Sequence, residues 1–153
     1  MALLNYTTKI DADKTAHEIG KCLSMHGAQA VLTEYNKEEG YVEALSFQIS
    51  LKGQKISFRL PCDWKPVLAV LEEQHAQGKL SRSHQGMPDR TQAVRTAWRI
   101  VKDWVEAQMA LVETNMVTTE QVFLPYAVMP NGKTLGENIQ ANPRFLLGNG
   151  KAE

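Results

Sequence analysis

The chain has only two cysteines, Cys22 and Cys62, among 153 residues. They stand far apart with no histidine array beside them, so neither a disulfide framework nor a zinc site is expected. A reduced, intracellular (cytoplasmic) setting is the default. Long apolar runs are missing too. No stretch approaches the roughly 18 apolar residues of a membrane-spanning helix, and the start MALLNYTTKIDADK soon turns polar, so neither a signal peptide nor a membrane association is expected. Net charge is zero, with 17 Lys+Arg against 17 Asp+Glu, which excludes the global basic excess of many nucleic-acid binders. Catalytic signatures are also lacking: His17-Glu18 has no second histidine four residues after the first, and there is no GxSxG, P-loop or GxGxxG. Cys62-Asp63-Trp64 reads as a strand end followed by a helix cap, and His84 as a loop residue. The expectation is a protein without enzymatic activity, cofactor or metal.

What is present fits one globular domain. The apolar content is 43% and the charged content 22%, and a chain of this length buries roughly 68–70% of its unfolded surface. The domain is expected over 1–141, with NPRFLLGNGKAE (142–153) as a loosely held tail.

A first helix is signalled in IDADKTAHEIGKCLSMHG. Asp11 or Asp13 serves as N-cap, Ala16, Ile19, Cys22 and Leu23 form an apolar stripe, and Gly27 provides the stop. Period-two alternation follows. Leu45, Phe47, Ile49 and Leu51 alternate with Ala44, Ser46, Gln48 and Ser50. After Lys52-Gly53, Ile56, Phe58 and Leu60 alternate with Lys55, Ser57 and Arg59. With an earlier strand from Ala28 to Tyr35, this gives a three-stranded antiparallel meander with one apolar face. Pro61 ends the third strand and Asp63 caps a helix from Trp64 to about Ala76. After the polar connection 77–89, a long helix runs from Arg90 to Thr114, about 37 Å. Its stripe is Val94, Trp98, Val101, Val105, Gln108 and Val112. TTEQVFLPYAVMPNGKTL then reads as a capped turn, an apolar extended piece and a turn at Asn131-Gly132. The fold class is α+β, in the order α-β-β-β-α-α with an extended C-terminal segment.

The α-β-β-β-α order of residues 11–76 resembles double-stranded RNA-binding domains in outline. That family's lysine cluster at the start of the last helix is represented only by Lys65, in PCDWKPVL. The chain as a whole resembles small phage and mobile-element proteins, a resemblance of style that implies no mechanism.

Two kinds of partner are weighed. Residues 74–103 carry six cations against two carboxylates, a local net of +4, so the molecule is expected to be dipolar, with acidic residues Glu34, Glu38, Glu39 and Glu43 at the other pole. Arg95, Arg99 and Lys102 recur at helical spacing on the face opposite the Val94/Trp98/Val101 stripe, Arg82, His84 and Arg90 feed the same side, and Lys55 and Arg59 lie on the polar sheet face. This set supports binding to the phosphates of DNA or RNA. The competing account pairs Arg99 and Lys102 with Asp103 and Glu106 one turn on. The second reading is a module that docks on a larger protein complex, through the acidic 34–43 hairpin or through Phe123, Leu124, Tyr126 and Met129.

Overall fold

The computed structural model describes residues 1–80 and 86–146. The order is α1 (Ala12–Met25), β1 (Ala30–Tyr35), β2 (Val42–Leu51), β3 (Gln54–Arg59), α2 (Trp64–Ala76), α3 (Arg90–Glu113), α4 (Thr119–Phe123) and α5 (Leu135–Ala141). Single 3-10 turns lie at Leu124–Tyr126 and Pro143–Phe145. The fold is α+β around one antiparallel sheet of order β1-β2-β3.

Alternation sets the sheet's two faces. Phe47 is paired with Phe58 and Ile49 with Ile56, while Ser46 faces Arg59, Gln48 faces Ser57 and Ser50 faces Lys55. The first group lies toward the core and the second away from it, so a one-residue slip would turn every one of these side chains over. The β2–β3 register is fixed by a two-residue turn in which Lys52 and Gly53 both have positive φ, 50° and 79°. This is the backbone of the primed turns that match strand twist.

The apolar face packs under α1 and α3. Ala16, Ile19 and Leu23 of α1, Val94, Trp98, Val101, Val105 and Met109 of α3, and Leu45, Phe47, Ile49 and Phe58 of the sheet form one buried cluster. Trp98 is fully buried, and its indole N–H donates to the Val42 carbonyl at 3.0 Å, so its one polar atom is satisfied. α2 docks on α3 through the buried Leu71. The first ten residues are held at the same helices. Gln92 donates to the carbonyls of Tyr6 and Thr8 at 2.8 and 2.9 Å, Asn5 donates to Asp103 at 2.7 Å, and the Leu3 N–H donates to Gln74 at 2.8 Å.

Three expectations change. The first strand begins at Ala30 rather than Ala28 and is hardly buried, because it lies at the sheet's edge. The segment after α3 is not extended. Thr118 and Thr134 each close a reciprocal capping box, with Gln121 and Glu137, which nucleates α4 and α5. Third, Phe123 is fully buried. Its ring meets Phe47 edge-on at 5.1 Å and Trp104 at 5.5 Å, while Phe47 stacks on Phe58 at 5.2 Å.

Phe58→Ala should therefore lower stability by about 3–5 kcal/mol, and Phe123→Ala by a similar amount. Urea denaturation followed by tryptophan fluorescence measures both. A loss below about 1 kcal/mol at Phe58 would contradict the register.

Candidate interaction surface

α3 presents its cations differently from the sequence expectation. At 3.6 residues per turn, Arg95, Arg99 and Lys102 lie about 80–140° around the helix from Val94. They flank the buried stripe instead of opposing it, which directs them into the seam with α1. There Arg95 meets Asp11 at 3.0 Å, Arg99 meets Glu18 at 2.8 Å, and Lys102 is shared between Glu18, at 3.8 Å, and Glu106. Arg90 pairs with Glu39 of the β1–β2 turn and lies over the ring of Tyr41. The expected Lys102–Glu106 pair forms, whereas Arg99 reaches Glu18 and leaves Asp103 to Asn5. The Arg99 and Lys102 side chains are only 17% and 14% exposed. Asp11 marks the trade: it stands at the α1 N-cap without a side-chain cap bond, and its carboxylate goes to Arg95.

Arg90, Arg95, Arg99 and Lys102 thus come together, but each is already matched by a carboxylate. A phosphate would have to displace those partners from partly desolvated positions. Arg82 and His84 lie outside the described residues. Lys55 and Arg59 do share the outer sheet face, facing Ser50 and Ser46. Among the described residues neither forms an ion pair, and Arg59 donates to the Gly132 carbonyl at 3.3 Å. The face carries no aromatic ring on which a base could stack, since Phe47 and Phe58 point inward.

The positions considered for chemistry stay apart. Cys62 is a free, half-buried thiol that desolvation, with a smaller contribution from Asp63, pushes up to about 12, so its nucleophilic thiolate is suppressed. Burial, first among its causes, also raises Cys22. His17 is exposed on α1. Among the described residues no three His, Cys, Asp or Glu side chains are grouped to hold a metal ion, and no helix is long and apolar enough to cross a membrane. Two clefts of about 180 and 170 Å³ share Tyr41 in their linings, and its hydroxyl accepts from the Trp64 indole N–H at 3.2 Å. The first is lined by the ion-paired Asp11, Glu39, Arg90 and Arg95 just described and by Asp13, and the second by Glu43, Asp63 and Lys65.

Of the apolar segment proposed for a protein partner, Leu124 is exposed, Tyr126 and Met129 are half-buried and Phe123 belongs to the core. Tyr126 leans on Trp104 at 5.5 Å. The segment's main role is to cover β3. Ala127 bridges to Phe58, and the Val128 N–H donates to the Ser57 carbonyl at 2.8 Å. α5 seals this end because Gly136 brings it close to the Pro125 carbonyl, where a Cβ would sit 3.0 Å from the oxygen.

The opposite edge is open. Among the described residues no strand pairs with β1 on the side away from β2. Val31, Leu32 and Tyr35 are 38%, 58% and 51% exposed. Their apolar character was legible, but their exposure was not, because edge position depends on sheet order. No protein-family model, no curated protein and no solved structure matches this chain.

Two outcomes follow from this geometry. Glu18→Ala strips Arg99 and Lys102 of a shared partner and should lower stability by about 1–2 kcal/mol. Exposed substitutions usually fall within about 0.5 kcal/mol, and thermal unfolding distinguishes the two.

The second concerns His26, the α1 C-cap, whose Nδ1 donates to the Cys22 carbonyl and Nε2 to the Glu113 carboxylate, each at 2.7 Å. Two acceptors require both ring nitrogens protonated, and these bonds, the backbone one first, raise its pKa from 6.5. The folded-state value is the higher one, so the stabilisation is complete below about pH 6.5 and is lost as pH rises through the folded value. His26→Gln should remove that decline from a stability–pH curve measured between pH 6 and 9.

Proposed function

We propose that the protein is a non-catalytic interaction module that engages a protein partner along the free edge of β1. The observation that carries this reading is the contrast between the sheet's two edges. The β3 edge is closed by the 127–134 segment, whereas among the described residues no strand pairs with the outer edge of β1, beside exposed Val31, Leu32 and Tyr35. Unprotected edges are templates for strand addition, in which backbone bonds supply affinity and alternate side chains supply selectivity. The ion-paired state of the α3 cations favours this reading over phosphate binding. Its setting is the reducing cytoplasm, where Cys22 and Cys62 persist as thiols.

The test places a photoreactive residue at Leu32 in cells producing the protein, with Glu72 on the exposed side of α2 as control. A discrete protein adduct at position 32 and none at 72 supports the reading. No adduct, or equal labelling at both positions, overturns it. A salt-sensitive gel shift of labelled DNA or RNA that is unchanged by Leu32→Lys also overturns it, in favour of nucleic acid.

A further inference from the structure

Of the devices that keep natural edges apart, the β1 edge carries only one charged side chain, Glu34. It contains no proline and no lysine, and the irregularity of the β1–β2 pair lies on the other strand, where Glu43 is the extra residue between the Tyr35–Val42 and Glu34–Ala44 pairs. β1 itself therefore stays regular. Val31, Thr33 and Tyr35 form its inner row, opposite Phe47, Leu45 and Val42 of β2, and Ala30, Leu32 and Glu34 form its outer row. The inner row lies beneath α1. A Cβ at Gly20 would sit 3.3 Å from Val31 Cγ1, and the Tyr35 hydroxyl interacts with the Asp13 carboxylate, whose charge raises the phenol's pKa.

These two rows are self-complementary. When two copies of β1 run antiparallel about a two-fold axis through Thr33, inner residues meet inner residues. Val31 then faces Tyr35 of the second copy twice over, and Thr33 faces Thr33. In the outer row Leu32 faces Glu34, so no like charges are opposed. Aromatic–β-branched and Thr–Thr pairs are among the favourable cross-strand combinations. An axis through Glu34 would set the two carboxylates against each other, and one through Leu32 would leave Tyr35 opposite Gln29. Each alternative loses what the Thr33 axis provides.

We propose that the partner of the β1 edge is a second copy of this chain, joined in the Thr33-centred register to make a six-stranded antiparallel sheet. This rests on the reading of β1 as the interaction surface. About five residue pairs are a small contact by the standard of stable dimers, which bury roughly 1,200–2,000 Å² in total, so the dimer should dissociate on dilution.

The experiment combines sedimentation of the unaltered chain over a concentration series with single cysteine substitutions at 31 to 35 under mild oxidation. Directly opposed Cα atoms in an antiparallel pair lie about 4.5–5.5 Å apart, within the span of a disulfide, whereas diagonal neighbours lie about 7–8 Å apart. Thr33→Cys should therefore cross-link to itself, while Leu32→Cys and Glu34→Cys should not. The unaltered chain, whose own thiols are protonated and partly buried, serves as the uncross-linked control. Circular dichroism of each variant excludes unfolding, and Leu32→Cys checks the assembly without touching the inner row. A reversible monomer–dimer equilibrium with self-linking at Thr33 supports the proposal. Preferential linking at Leu32 or Glu34 overturns it. A monomer at every concentration that still gives a photo-adduct with another protein at position 32 also overturns it, while leaving the interaction reading intact. A monomer without any adduct overturns both.

Discussion

The indole of Trp98 joins the two halves of this fold. Its ring fills the centre of α3's buried stripe, and its N–H closes on the Val42 carbonyl where β2 begins. A tryptophan in a core must satisfy its single donor, and here that requirement fixes the long helix against the sheet. Once α3 is set, its flanks decide where α1 lies, because Arg95, Arg99 and Lys102 come to rest against Asp11 and Glu18. α2 and the first ten residues then close over the remaining side of α3 through Leu71, Gln74 and Gln92.

Much of this architecture was legible in the chain. The alternation around Lys52-Gly53 specified both faces of β2 and β3, and Asp63 and Asp89 cap α2 and α3 at 3.0 and 2.8 Å, with Asp63 read correctly as a cap. What escaped was of two kinds. The capping boxes at Thr118 and Thr134 were visible as local patterns, but VFLPYAVMP is apolar without helical period, and Gly136 weakens the case for a helix. Its reason is a contact with Pro125, a residue of another turn. The role of the α3 cations depended on an angle of less than half a turn. Spacing places three basic residues together, yet only the location of α1 decides whether that group meets water or carboxylates.

The surfaces differ accordingly in how far sequence could identify them. Lys55 and Arg59 were placed correctly on a shared face by period two alone. Phe123 was assigned to the surface because a dense apolar stretch outside regular elements resembles an exposed patch. In the fold it supplies a ring to the Phe47–Phe58–Trp104 cluster. The opening at β1 follows only from strand order, a non-local property that no window of residues contains.

The ion-paired seam also bears on how the molecule meets others. The positive segment around α3 and the acids of α1 and the β1–β2 turn, remote from it in sequence, are folded against each other at contact distance. Along α3 the separation of charge implied by the sequence therefore collapses into short internal dipoles, whose field fades within about one Debye length, about 8 Å at physiological salt. This helix is left with little potential to draw a charged partner from afar. Encounters are governed by diffusion and by the fit of the touching surfaces, so association rates should stay in the unsteered range and respond weakly to ionic strength.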